Sequence, residues 1–142
     1  RYTPTDSANV PTGTLAAVEG TALELRKPTE LGRRLRDAAF NGWRGYDHNY
    51  ALDGGEEAAE LWCPATGIGL TMSTTMEGMQ LYTAGWLTER GGKGGAVYGA
   101  FHGVCLETQH FPNAVNCPSF PSPLLRAGET LYQRTAFRFF TR

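Results

Sequence analysis

A chain of 142 residues fits one domain, or part of one, and leaves no room for two ordinary domains. Its 13 Lys and Arg against 14 Asp and Glu give a formal charge of -1, so no electrostatic footprint for nucleic acid or an anionic membrane is visible. Hydrophobic residues at 41% allow a packed core, while 18 glycines and 8 prolines beside only 19% charged residues favour turns and strands over long helices.

Residues 1–14 carry Pro4 and Pro11 among Thr, Ser, Asp and Asn and read as an extended lead-in, an edge strand or a linker. Residues 15–25 alternate only loosely. After Pro28-Thr29-Glu30, the helical spacing of Leu31, Leu35 and Ala38 or Ala39 predicts one short surface helix. From Asp47 onward short β-type runs, each closed by Gly or Pro, predict strands over 46–52, 58–63, 69–75, 78–83, 104–109 and 130–140. Turns are expected at Asp53-Gly54-Gly55, over 64–67 and through the glycine stretch 91–95, the last of which reads as a flexible loop. No internal repeat is visible. The expected class is all-β with little helix, a sandwich or part of one. The last strand is rich in aromatics and the first third lacks strong strands, so unpaired edges and missing neighbours are expected.

No apolar run approaches the ~18 residues needed to span a bilayer, and no charged-then-apolar leader opens the chain. Cys63, Cys105 and Cys117 are odd in number and lack Cys-x-x-Cys spacing, so they read as reduced thiols and not as a disulfide framework or a zinc site. None of the three histidines has the i, i+4 pairing of a metal-binding helix, and no metal site is indicated. With no Asn-x-Ser/Thr sequon present, an intracellular location is expected, in the cytoplasm or in an organelle after removal of a leader. The chain opens on Arg1 and not Met, and is expected to be processed, trimmed or incomplete.

Three segments carry candidate chemistry. In Cys105-Leu106-Glu107-Thr108-Gln109 strand alternation sends Cys105, Glu107 and Gln109 one way and Leu106 and Thr108 the other. If Leu106 faces the core, Glu107 faces a cleft or solvent. In Tyr46-Asp47-His48-Asn49-Tyr50, Asp47 and Asn49 share one face and the three rings the other. Such a mixture of carboxylate, amide and rings suits a polyhydroxylated ligand, the plainer alternative being a turn-entry Asp beside a satisfied core His. In Gly78-Met79-Gln80-Leu81-Tyr82, Gln80 and Tyr82 share a face.

These segments, in this order, resemble the aldose 1-epimerases (galactose mutarotases). The likeness continues through Phe111-Pro112-Asn113-Ala114, Asn116, Phe120-Pro121-Ser122 and Leu125-Arg126-Ala127-Gly128-Glu129, and upstream through Tyr2-Thr3-Pro4-Thr5-Asp6, Pro11-Thr12-Gly13 and Leu25-Arg26-Lys27-Pro28. It implies that residues 1–142 are the C-terminal portion of a β-supersandwich that binds hexoses such as glucose or galactose and interconverts their α and β anomers without a cofactor. By that resemblance Glu107 is the general base, Asp47 grips sugar hydroxyls and Gln80 contacts the substrate. The family's general-acid histidine, a second sugar-binding histidine and a sugar-binding arginine lie in an N-terminal portion that this chain does not contain. That portion is therefore an expected partner, on the same or another chain. The sequence departs from the family pattern at Glu77, where proline is usual, at Ala84-Gly85, where Gly-Asn is common, and at Asn113, often Asp. Two alternatives stand beside this reading: an inactive mutarotase-like structural or sugar-binding subunit of a larger assembly, and a glycosidase using the pair Asp47 and Glu107.

Overall fold

The computed structural model describes residues 1–36 and 44–142. Among the described residues eight strands run in chain order: β1 (Asp47–Ala51), β2 (Ala59–Trp62), β3 (Ile68–Thr74), β4 (Gly78–Tyr82), β5 (Arg90–Gly91), β6 (Val97–Tyr98), β7 (Cys105–Gln109) and β8 (Thr135–Thr141). They form an antiparallel sheet β1-β4-β7, a second antiparallel sheet β2-β3-β8, and the short hairpin β5-β6. The all-β expectation holds. Among the described residues no helix is long and apolar enough to cross a membrane.

The first sheet positions the candidate residues because its two faces differ. His48 and Tyr50 of β1, Met79 and Leu81 of β4, and Leu106 of β7 point to one side, as alternation requires. There Leu81, Tyr46, Val18, Ala22 and Leu23 form a buried cluster, with Tyr50 and Leu106 packed against it. The Tyr46 and Tyr50 hydroxyls donate to the carbonyls of Ala22 (2.9 Å) and Leu23 (3.0 Å), satisfying both phenols inside that core. Aspartate and asparagine disfavour strands; β1 forms because its aromatic face is buried and its backbone is paired on both sides. Tyr2 bridges both Tyr50 and Ala16, so the lead-in is an edge strand in part and caps the free side of β1.

The opposite face carries Asp47 and Asn49, Gln80 and Tyr82, and Cys105, Glu107 and Gln109. Toward one end it is closed by a second cluster of Ala51, Phe111, Ala114, Cys117 and Phe120, in which Phe111 and Phe120 meet edge to face at 5.1 Å. A threonine ladder ties the two sheets together: Thr135 of β8 bonds Thr74 of β3 at 3.1 Å and Thr108 of β7 at 2.6 Å.

Four expectations need correction or restriction. The helix is one turn, Leu31–Arg34, and positions 38 and 39 lie outside the described residues. Residues 130–134 are not strand: a turn closes with Glu129 N–H on Arg126 O, and the chain joins β3 only at Arg134, whose carbonyl receives Thr75 N–H. The glycine stretch is not merely a loop, for a 3-10 turn at Lys93–Gly95 closes the β5-β6 hairpin. The rings of Tyr46 and Tyr50 belong to the core and not to a ligand face.

Candidate functional site

A pocket of about 280 Å³ opens on the polar face of the first sheet, lined by Asp47, Gln80, Tyr82, Glu107, Gln109 and Pro112. Register explains the grouping. Asp47 pairs with Tyr82, and Gln80 pairs with Asn49 on one side and Glu107 on the other, and paired residues on neighbouring strands share a face. All three residues singled out from the sequence, Asp47, Gln80 and Glu107, therefore line one pocket from three different strands.

The polar groups are tied to one another. Gln80 Nε2 donates to Asp47 Oδ1 at 2.7 Å, a short charge-assisted bond. Gln109 Nε2 donates to Gln80 Oε1 at 3.4 Å and to Asn49 Oδ1 at 3.2 Å. Tyr82 offers its ring to the wall while its hydroxyl accepts the backbone N–H of Trp86 at 3.1 Å. Trp86 in turn lies under the Arg44 guanidinium, 4.9 Å from its ring centroid. Glu107 is exposed and free to meet a ligand hydroxyl. Its neighbour on the same face, Cys105, has a thiol pushed above the usual range by burial and then by the nearby Glu107 charge. That thiol is protonated at neutral pH and a poor nucleophile.

His48 belongs to the other face. Burial lowers its pKa, opposed by the Asp47 charge; its Nδ1 accepts the Asp47 backbone N–H at 3.0 Å, and its ring meets Tyr2 and Tyr46 edge to face. It is a packed, satisfied histidine. Sequence reasoning did not single out Gln109, Tyr82 or Pro112 as lining residues. Alternation alone already placed Gln109 beside Glu107 and Tyr82 beside Gln80. Pro112 carried no such signal, because it reaches the pocket from the turn after β7.

A family model described as aldose 1-epimerase matches residues 1–138. The galactose mutarotase of Homo sapiens is 46% identical over 142 residues, covering 97% of this chain and 41% of the human protein. The aldose 1-epimerase of Escherichia coli (strain K12) is 30% identical over 145 residues, covering 97% of this chain and 42% of that protein. The chain thus spans about two-fifths of the length of the curated relatives it matches. Among solved structures, an aldose epimerase homologue from C. elegans superimposes with a TM-score of 0.86 over 99% of this chain and 43% of its own, at 23% identity. A galactose 1-epimerase from Lactobacillus acidophilus NCFM gives 0.70 over 99% and 41%, also at 23% identity. These two establish a shared fold, and the near-complete match of the family model goes further: the chain belongs to the aldose 1-epimerase family.

Proposed function

We propose that the polypeptide containing this chain is an aldose 1-epimerase, an isomerase that interconverts the α and β anomers of a hexose, with residues 1–142 forming the C-terminal portion of its domain. The observation that carries the reading is the convergence of Asp47, Gln80 and Glu107 on one pocket face, alongside relatives named galactose mutarotase and aldose 1-epimerase.

In this mechanism Glu107, as carboxylate, takes the proton of the anomeric hydroxyl. The electron pair of that O–H bond forms the aldehyde C=O, the C1–ring-oxygen bond breaks, and the ring oxygen is protonated by a general acid. Rotation about C1–C2 turns the aldehyde over. The same proton transfers run in reverse to close the ring as the other anomer. Asp47 and Gln80 hold the non-reacting hydroxyls, the carboxylate accepting and the amide donating. The acid must come from the portion of the domain outside this chain, which also makes that portion the chain's partner; an intracellular location belongs to the same reading. Base and acid act together, each positioned group contributing about 10²–10⁴-fold.

Polarimetry of α-glucose and α-galactose with the complete polypeptide tests this. Glu107→Gln is expected to lower kcat by about 10²–10⁴-fold while hexose binding survives. Turnover retained in that variant rules out Glu107 as base. An intact polypeptide giving no enhancement over buffer replaces the enzyme with a sugar-binding subunit.

A further inference from the structure

Gln109 occupies a position that nothing in the mechanism above uses, yet its hydrogen bonds join the pocket to the interior. A primary amide nitrogen has two hydrogens. Both Nε2 hydrogens of Gln109 are committed, one to Gln80 Oε1 and one to Asn49 Oδ1. Asn49 is buried at 3% exposure, and Gly78 leaves it room: a Cβ there would lie 2.9 Å from Asn49 Oδ1 and 2.9 Å from Phe111 Cδ1.

The direction of this chain of bonds is set at its charged end. The Asp47 carboxylate only accepts, so Gln80 must turn its nitrogen to Asp47 and its oxygen to Gln109. Gln109 must then turn its nitrogen to Gln80, and Asn49 its oxygen to Gln109. Reversing any one amide sets oxygen against oxygen or N–H against N–H. Asn49 keeps this sense although its own Nδ2 finds no acceptor among the described residues, a buried donor left unmatched at a cost. The arrangement is therefore dictated by the relay and not by Asn49's own preference.

We propose that Gln109 is a positioning residue that fixes the donor and acceptor polarity of the sugar-binding floor: it locks Gln80 against Asp47, so that the pocket offers the second Asp47 oxygen as acceptor and the second Gln80 N–H as donor. This rests on the proposed sugar site. It separates holding the substrate from the proton transfer at Glu107.

The test uses the complete polypeptide with Gln109→Leu, a near-isostere lacking both functions, and Gln109→Glu, which keeps the shape but only accepts. With glucose and galactose, both variants are expected to raise KM about tenfold or more while kcat stays within about threefold, the signature of lost uniform binding. A variant that merely misfolds in part lowers apparent kcat at unchanged KM. The second readout needs no turnover: in ¹⁵N–¹H spectra the Gln80 side-chain amide protons are expected to shift and exchange faster in Gln109→Leu. Unchanged KM in both variants, loss confined to kcat, or an unmoved Gln80 amide overturns the proposal. If the parent polypeptide neither turns over nor binds a hexose, but the Gln80 amide still responds to Gln109→Leu, the functional reading falls and the relay stands.

Discussion

Burial keeps the His48 imidazole neutral more strongly than the adjacent Asp47 carboxylate can charge it, and the sign of the resulting pH dependence follows. Well above the ordinary value of 6.5 folded and unfolded chains both carry a neutral ring, and His48 contributes no pH dependence. Below it the unfolded chain takes up a proton that the folded chain resists, so stability declines as pH falls from about 6.5 until the folded ring's own lower pKa is passed. The urea midpoint of the wild type is expected to drop more steeply between pH 7.5 and 5 than that of His48→Phe, which keeps the ring packing. Parallel curves would remove His48 as the cause. Two departures from the family pattern also resolve at single residues. Glu77, where proline is usual, has become the partner of His110 Nδ1 at 2.8 Å. Asn113, often Asp, sits at φ +62°, a left-handed conformation that Asn tolerates unusually well.

The loop after β4 shows the third departure as a coupled pair. Ala84 adopts φ +56°, which costs an L-residue about 1–2 kcal/mol and which glycine would adopt freely. At Gly85 a Cβ would fall 1.5 Å from the Arg44 carbonyl oxygen, so the backbones of the segment entering β1 and the loop leaving β4 touch where only glycine fits. The asparagine common in the family cannot occupy this position unless Arg44 moves. Gly85→Ala is therefore expected to destabilise the protein by about 3 kcal/mol or more, read from the urea midpoint, and to disturb Trp86, whose N–H holds the Tyr82 hydroxyl. A loss under about 0.5 kcal/mol, the range of an ordinary surface change, would mean that the two segments separate easily. Such backbone contacts leave no trace in local pattern. The principal strands do, because alternation and turn residues are local properties: β1 to β4 and β7 fall within one or two residues of their expected limits. The limits of β8 and the two-residue β5-β6 pair were not legible, since partners decide them. Asp47, Gln80 and Glu107 were named through resemblance; alternation gave their faces, and the register across three strands brings them to one pocket.

Across the whole molecule, the second sheet presents one apolar face that the described residues bury at Met72 and leave open at its exposed end. Leu61 of β2, Ile68, Leu70 and Met72 of β3, and Phe137 and Phe139 of β8 share that face by register, with Ile68 at 57%, Phe137 at 48% and Phe139 at 71% exposure. The other face is polar or stacked: Arg142 covers Trp62 and Phe140 and pairs with Glu60 at 3.0 Å. Apolar patches of this kind mark an interface, and relatives more than twice as long as this chain supply enough further residues to cover one. Residues 1–142 produced alone are accordingly expected to bind ANS and to self-associate, while the complete polypeptide does neither. Phe139→Lys separates the two contexts. In the short chain it should reduce association, because it places a charge on an exposed edge strand. In the complete polypeptide it should destabilise by about 3–5 kcal/mol, the scale for losing a buried aromatic ring. A short chain that stays monomeric and silent to ANS would show that this face is stable in water without a cover.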